Sequence, residues 1–322
     1  MVATQPEVRH PIAAPGKGSS ARRRRVRQVG TGTPYAFVAP FFLFFGAFGL
    51  FPLIYTAWVS LHKVDLQSPN DMTWVGIDNY KNLLTNEFFT NALKNTLTLG
   101  IISTVPQLMM ALGIAHLLNY KLRGRTFYRV TMLMPYATST AAATLVFAGL
   151  FGRDYGLINW LFGLVGVHHI DWQSGHWSSQ IAISVIVTWR WTGYNALIYL
   201  AAMQAISNDL YESASIDGAN RLQQFRFVTI PSLRPTILFT IVVSTIGATQ
   251  LFAEPLLFGG INGHTGGASR QFQTLGLLLY DEGWYNFKLG YAAAIAWTMF
   301  VIIVIAVAIN ATLARRSMRA ES

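Results

Sequence analysis

The run PYAFVAPFFLFFGAFGLFPLIYTAWVSL, residues 34 to 61, holds 28 residues without a single charge. At 1.5 Å per residue, a helix of that length reaches about 42 Å, more than the roughly 30 Å of a bilayer's hydrocarbon core. The run therefore reads as a membrane span. Arg22, Arg23, Arg24, Arg25 and Arg27 stand before it, as they would before a signal peptide. The apolar stretch is too long for one, however, and no small-residue cleavage site follows. It is expected to be retained as the first span.

Five more apolar blocks follow, giving six at about 35–61, 92–119, 130–151, 181–203, 234–258 and 288–312, each long enough to cross. The composition agrees, with 52% hydrophobic and only 12% charged residues among 322, where soluble domains carry roughly 25% charged. The runs are continuous rather than alternating, which excludes a β-barrel. The fold class read from this is an all-α polytopic membrane protein with six transmembrane helices across residues 35–313. Pro40, Pro52, Pro106, Pro135 and Pro255 lie inside the blocks and are expected to kink them. Without Cys, disulfides, iron–sulfur clusters and thiolate zinc sites are excluded.

The net charge of +10 would point to nucleic acid in a soluble protein. Here the basic residues fall between and beyond the apolar blocks, as topology signals, and no nucleic-acid partner is expected. With the N-terminus inside, the inner segments hold 17 of the 24 Lys and Arg, the outer segments hold six, and Arg190 lies within a span. Both termini are thus expected in the cytoplasm. Residues 1–34 read as a disordered, basic cytoplasmic tail and 314–322 as a basic C-terminal tail. The outer loops carry Trp74, Tyr80, Trp172, Trp177, Trp284 and Tyr285, which suits an interfacial aromatic belt. A short amphipathic helix over Asp78 to Leu84 leads into the second span.

The segment NDLYESASIDGANRLQQFRFVTIPSLRP, residues 208 to 235, lies on the inner side. Asp209 is positioned to cap a helix with Glu212 in its first turn, where acidic groups meet the helix dipole favourably. Gly218 stops that helix. A second piece, with Leu222, Phe225 and Val228 on one face, is expected to run to Pro231, where the next span begins. Helix, Gly turn and helix make a protruding knob suited to docking.

This loop resembles the signature of importer permeases of the ATP-binding-cassette class: Glu-Ala-Ala, three residues, Gly, nine residues, then Ile-x-Leu-Pro. Glu212, Ser213 and Ala214 fill the triplet, Asp217 precedes the turn residue Gly218, and Val228, Thr229, Ile230 and Pro231 close the string. Ser213, Val228 and Ile230 depart from the pattern conservatively. The words IDGAN, VTIPSLRP, LLFGG, RGRTFYR and YAAAIAW look like the larger-type subunit of maltose-type carbohydrate permeases. The resemblance covers about residues 35 to 313, and ATQLFAEPLLFGG and QFQTLGLLLY look closest to actinobacterial oligosaccharide permeases. It implies a multi-pass protein of the bacterial cytoplasmic membrane, surrounded by lipid, that forms a heterodimer with a second permease subunit. Two cytoplasmic ATPase subunits and an extracellular solute-binding protein that delivers the sugar substrate complete the implied assembly. This chain has no Gly-x-x-x-x-Gly-Lys-Ser/Thr string, so no cofactor is expected in it. ATP and magnesium would be bound by the ATPase partner.

In a membrane cavity, sugar recognition needs aromatic faces for pyranose stacking and amides or hydroxyls for the sugar's own hydroxyls. The maltose-type resemblance places Tyr194 on a sugar-touching aromatic and Thr249 on a polar contact, with Gln250 beside it. Val187, Arg190, Trp191, Val242 and Ile246 fill other contact positions, so the sugar is not expected to be maltose. Belt or packing roles remain the plain alternative for each of them. Arg190 and Glu254 are the charges well inside spans, where an ionised group costs at least ~2.5 kcal/mol at the centre. They read as an ion pair, or as a sugar or gate contact. His116 reads as an interfacial residue, and His168, His169 and His176 have no carboxylate set around them beyond Asp171, so no metal site is expected.

Two other classes compete. An ion-coupled secondary sugar carrier would need coordinating carboxylates near the midplane of both halves, where only Glu254 stands. A membrane-embedded enzyme would need a His, Asp or Ser constellation within the spans, and none is present, so no catalytic residue is assigned.

Overall fold

The computed structural model describes residues 33–120 and 123–319, which fall into two compact units that divide between Pro52 and Leu53. In the first unit, helix α1 (Thr33–Phe45) passes into a π-helical turn, Gly46–Leu50. Phenylalanines four residues apart stack along one face, Phe41 on Phe45 at 6.1 Å and Phe44 on Phe48 at 6.3 Å. Their exposure leaves that face to lipid or another chain. Of the expected tail at 1–34, residues 33 and 34 are the first of α1 and the remainder lies outside the described residues.

Helix α2 (Phe51–Ser60), whose first two residues belong to the first unit, leads in the second to a two-stranded antiparallel hairpin of β1 (His62–Lys63) and β2 (Thr73–Trp74), with His62 opposite Trp74. Asn79, in α3 (Asp78–Thr85), donates to the Ser60 and His62 carbonyls. The short helix expected here is present. The 33-residue α4 (Glu87–Asn119) packs along α8 (His176–Gln204), the central pair of the bundle. Two apolar clusters form around that pair, one with Leu99, Ile183, Ile186 and Phe258, the other with Ala111, Ala196, Tyr199 and Leu233. A third cluster joins α3 and α4 to α13 (Leu275–Tyr280) and α14 (Leu289–Arg319) through Leu83, Phe89, Leu275 and Ile295.

All six predicted blocks are helical, but they are not six uniform rods. Four helices are long and apolar enough to cross by themselves: Phe37–Ser60, Glu87–Asn119, Arg221–Thr249 and Leu289–Thr312. The block at 130–151 is a bent pair, α5 (Arg125–Ala137) and α6 (Thr140–Leu150), set at 89°. Pro135 withholds a backbone donor near the break, and Thr138 and Ser139 leave helical geometry with ψ of 140° and 131°. The block at 181–203 is the middle of α8, whose 29 residues suffice in length. Its Ser184, Arg190, Thr192 and Asn195 lower its apolarity, and all four are buried against neighbouring helices.

The block at 234–258 is interrupted. Helix α11 (Ile230–Thr249) ends, Gln250 to Phe252 are non-helical, and the short α12 (Ala253–Phe258) follows. The carbonyl freed at Leu251 accepts a hydrogen bond from Thr274 Oγ1 at 2.7 Å, as backbone outside a helix requires at this depth. At the other end, the expected C-terminal tail at 314–322 is helical as far as Arg319.

Candidate functional site

A cavity of about 550 Å³ lies between α4, α6, α8, α11 and the break before α12. On α8, Val187, Trp191, Tyr194 and Asn195 line it, the i, i+4, i+7, i+8 spacing of one helical face. Trp191 and Tyr194 stand with Tyr136 of α5 as an aromatic group: Tyr136 stacks on Tyr194 at 4.6 Å, and Trp191 meets both rings edge-on. From the break, Gln250 and Glu254 complete the wall. Four predicted pathway residues, Trp191, Tyr194, Gln250 and Glu254, therefore come together.

Thr249 does not join them. Its hydroxyl donates back to the Thr245 carbonyl at 2.8 Å, and the residue lines a separate apolar groove with Gly100, Ile241 and Leu275. At about 100° per residue, Thr249 is turned roughly 60° from Ile246 around α11, so the two reach different neighbours. Ile246 lines the cavity.

Arg190 is one residue short of the cavity face and turns toward α12. Its Nη1 donates to Glu254 Oε1 at 2.6 Å, with both side chains nine-tenths buried. Arg190 Nε, also buried, has no hydrogen-bond partner among the described residues. The pair fastens α12 to α8 across the broken helix, and its charges satisfy each other where water is scarce.

Sequence reasoning missed the contribution of α4 and the amide beside Tyr194. Ser103, Thr104 and Gln107 of α4, together with Asn195 and Ser244, supply hydroxyls and amides to the cavity wall. A signal was available, since polar residues at i and i+4 inside an apolar block, such as Ser103 and Gln107, must face protein rather than lipid.

The second candidate is the loop at residues 208–235. Helix α9 (Asn208–Ile216) begins at Ser207, whose hydroxyl caps it by accepting from the Asp209 backbone. Asp209 is therefore not the cap as expected, because the helix starts earlier, but it keeps its favourable place in the first turn. At the other end Gly218 adopts φ of 82°. The Ala219 N–H reaches the Ala214 carbonyl at 2.9 Å and the Gly218 N–H reaches that of Ser215 at 3.1 Å. These are the paired bonds of a Schellman stop, which satisfy carbonyls the helix end leaves open. Asn220 then caps α10 (Arg221–Gln224) in a capping box with Gln223.

The second piece does not stop at Pro231. Helix α10, a π-helical turn at Phe225–Thr229 and α11 form one continuous helix, which carries Pro231 in its interior just after the π turn, where the residue can donate no backbone hydrogen bond. Nor do Leu222, Phe225 and Val228 share one environment. Phe225 packs on His116 at 4.2 Å, whereas Leu222 is 73% exposed. Ile216, Leu222 and Phe227 leave a large apolar surface uncovered on the knob, with Glu212, Ser213, Asp217 and Gly218 exposed beside it.

Away from both candidates, Asp171 sits in the loop before α8. Partial burial raises its carboxyl pKa, but hydrogen bonds from Ser174 and Gln173 and the charge of Arg153 outweigh this and hold it below its ordinary value.

Residues 107–319 match the family described as the binding-protein-dependent transport system inner membrane component. The chain is 34% identical over 274 residues to the arabinooligosaccharides transport system permease protein of Halalkalibacterium halodurans, covering 84% of each. It is 34% identical over 275 residues to the lactose transport system permease protein of Rhizobium radiobacter, covering 84% of this chain and 90% of that one. Its fold is similar to that of a chain of a bacterial ATP-binding-cassette transporter involved in the import of the acidic polysaccharide alginate. That match has a TM-score of 0.75 at 22% identity and covers 88% of this chain and 95% of the other.

Proposed function

We propose, given that this chain belongs to the family of binding-protein-dependent transport system inner membrane components, that it is a permease subunit of an ATP-driven oligosaccharide importer. It forms half of the translocation pathway, pairs with a second permease subunit and receives sugar from an extracellular solute-binding protein. Its knob at residues 208–235 docks in a cleft of one of two cytoplasmic ATPase subunits, which bind the ATP and magnesium. Both termini are cytoplasmic. The observation that carries this reading is the knob itself, a Gly-stopped helix followed by a helix continuous with α11, bearing uncovered apolar side chains. Movement of a docked ATPase would pass along that continuous helix to the break at residues 250–252, where the cavity lies. The relatives named for oligosaccharide transport and the amide and aromatic lining of the cavity support sugar as the cargo.

The test is Gly218→Val beside Gly218→Ala in the reconstituted importer. A Cβ at Gly218 meets open space, so the cost is conformational, about 1–2 kcal/mol for a left-handed residue and more with β-branching. Transport and sugar-stimulated ATP hydrolysis should fall together, further for Val than for Ala, while the binding protein's affinity for free sugar is unchanged. Normal coupled transport by Gly218→Val in the assembled complex would remove the knob as the transmitting element.

A further inference from the structure

Among the described residues that line the cavity, one carries a formal charge, and it is negative: Glu254. The wall offers no Lys, Arg or His. The nearest cation, Arg190, is buried behind the wall and its Nη1 is committed to Glu254 Oε1 at 2.6 Å. The other carboxylate oxygen, Oε2, takes no hydrogen bond among the described residues, so it is left to accept one from whatever occupies the cavity. The same cavity is lined by the amide residues Gln107, Asn195 and Gln250 and by Trp191 and Tyr194.

A hydroxyl donor suits this wall and an anion does not. Placing an anion in a site poor in water without a cation costs several kcal/mol, and setting it beside a carboxylate adds like-charge repulsion. Aromatic faces and amides serve a neutral pyranose equally well with or without a charge nearby. We propose that Glu254 is a specificity-determining residue, whose carboxylate accepts a hydroxyl from a neutral saccharide and turns away saccharides bearing a carboxylate, sulfonate or phosphate. Arg190 is its positioning residue: it keeps Glu254 aimed while its own charge is withheld from the cargo. This rests on the reading of the cavity as a saccharide path and says which saccharides it admits.

The experiment is equilibrium dialysis of two labelled probes, a β-linked glucose pentasaccharide and a galacturonate pentasaccharide, against the purified importer with its partner subunits. The solute-binding protein is left out so that the membrane cavity alone selects. The wild type should bind the neutral probe at least about tenfold more tightly, the scale set by like-charge repulsion. Glu254→Gln uncovers the Arg190 charge, and the preference should shrink below about threefold or invert. If that variant fails to assemble, Arg190→Met with Glu254→Gln leaves no buried charge unpaired, and the preference should again shrink. A merely structural role would weaken both probes alike and leave their ratio unmoved. Equal binding of the two probes by the wild type, or an unchanged ratio in the variants, overturns the proposal while the sugar reading stands. Binding of neither probe by the wild type would sink the sugar reading, and this proposal with it.

Discussion

Tyr211 Oη and Thr229 Oγ1 lie 3.0 Å apart, joining the first helix of the knob to the π turn that runs into α11. Residues 18 apart in sequence thus hold the knob against the helix that reaches the cavity. A net hydrogen bond of this kind contributes about 1 kcal/mol. Tyr211→Phe should therefore leave assembly intact and lower the sugar transported per ATP hydrolysed by a few-fold in proteoliposomes. An unchanged ratio would mean that motion reaches α11 without this contact.

A Cβ at Gly193 would fall onto the Met132 carbonyl, so α5 and α8 approach as closely as they do because position 193 has no side chain. The Tyr136–Tyr194 stack depends on that approach. Gly193→Ala should cost roughly 1–3 kcal/mol by overpacking and lower the thermal unfolding temperature in detergent. It should also weaken sugar binding, because the rings move apart. A variant as stable as the wild type would show that the helices can separate freely.

The Arg190–Glu254 pair should show strong coupling in a double-mutant cycle read by thermal stability. Removing Glu254 alone strands a buried cation and should cost about 3–5 kcal/mol. Arg190→Met with Glu254→Leu should cost far less than the two single changes added together, with an interaction energy above roughly 0.5 kcal/mol. Additive costs would mean that the two groups act separately.

Asp171 gives a pH signature. A carboxyl held below its ordinary value of 3.8 contributes stability that is complete above that value and is lost as pH falls through the lowered one. Protease sensitivity of the loop before α8 should be level from neutral pH to about 5 and rise only in stronger acid. In Asp171→Asn the acid-dependent rise should disappear. Loosening of this loop in the wild type near neutral pH would contradict the assignment.

The charge distribution predicts the topology. Reporter fusions after residues 75, 165 and 275 should all read as external, since the segments on the other side hold 17 of the 24 Lys and Arg. A cytoplasmic signal at any of the three would overturn the layout.

Much of this was legible in the sequence. The length of the apolar blocks required helices, because hydrocarbon leaves a spanning backbone no other partner. The left-handed stop at Gly218 followed from the one residue without a Cβ at the end of an acidic-start helix. The cost of lone charges in the same setting left pairing of Arg190 with Glu254, 64 residues apart, as one of two readings, and the tertiary structure decides for the pair. What the sequence could not decide was rotation and interruption. The 89° bend after α5, the break after Thr249 and the turning of Thr249 into a different groove from Gln250 do not register in apolarity. They depend on which helix faces touch, as where Gly193 admits the Met132 carbonyl and where the Thr274 hydroxyl satisfies Leu251. Apolar content fixes whether a segment enters the bilayer, but the direction each side chain faces is set by close packing with neighbours far away in the chain.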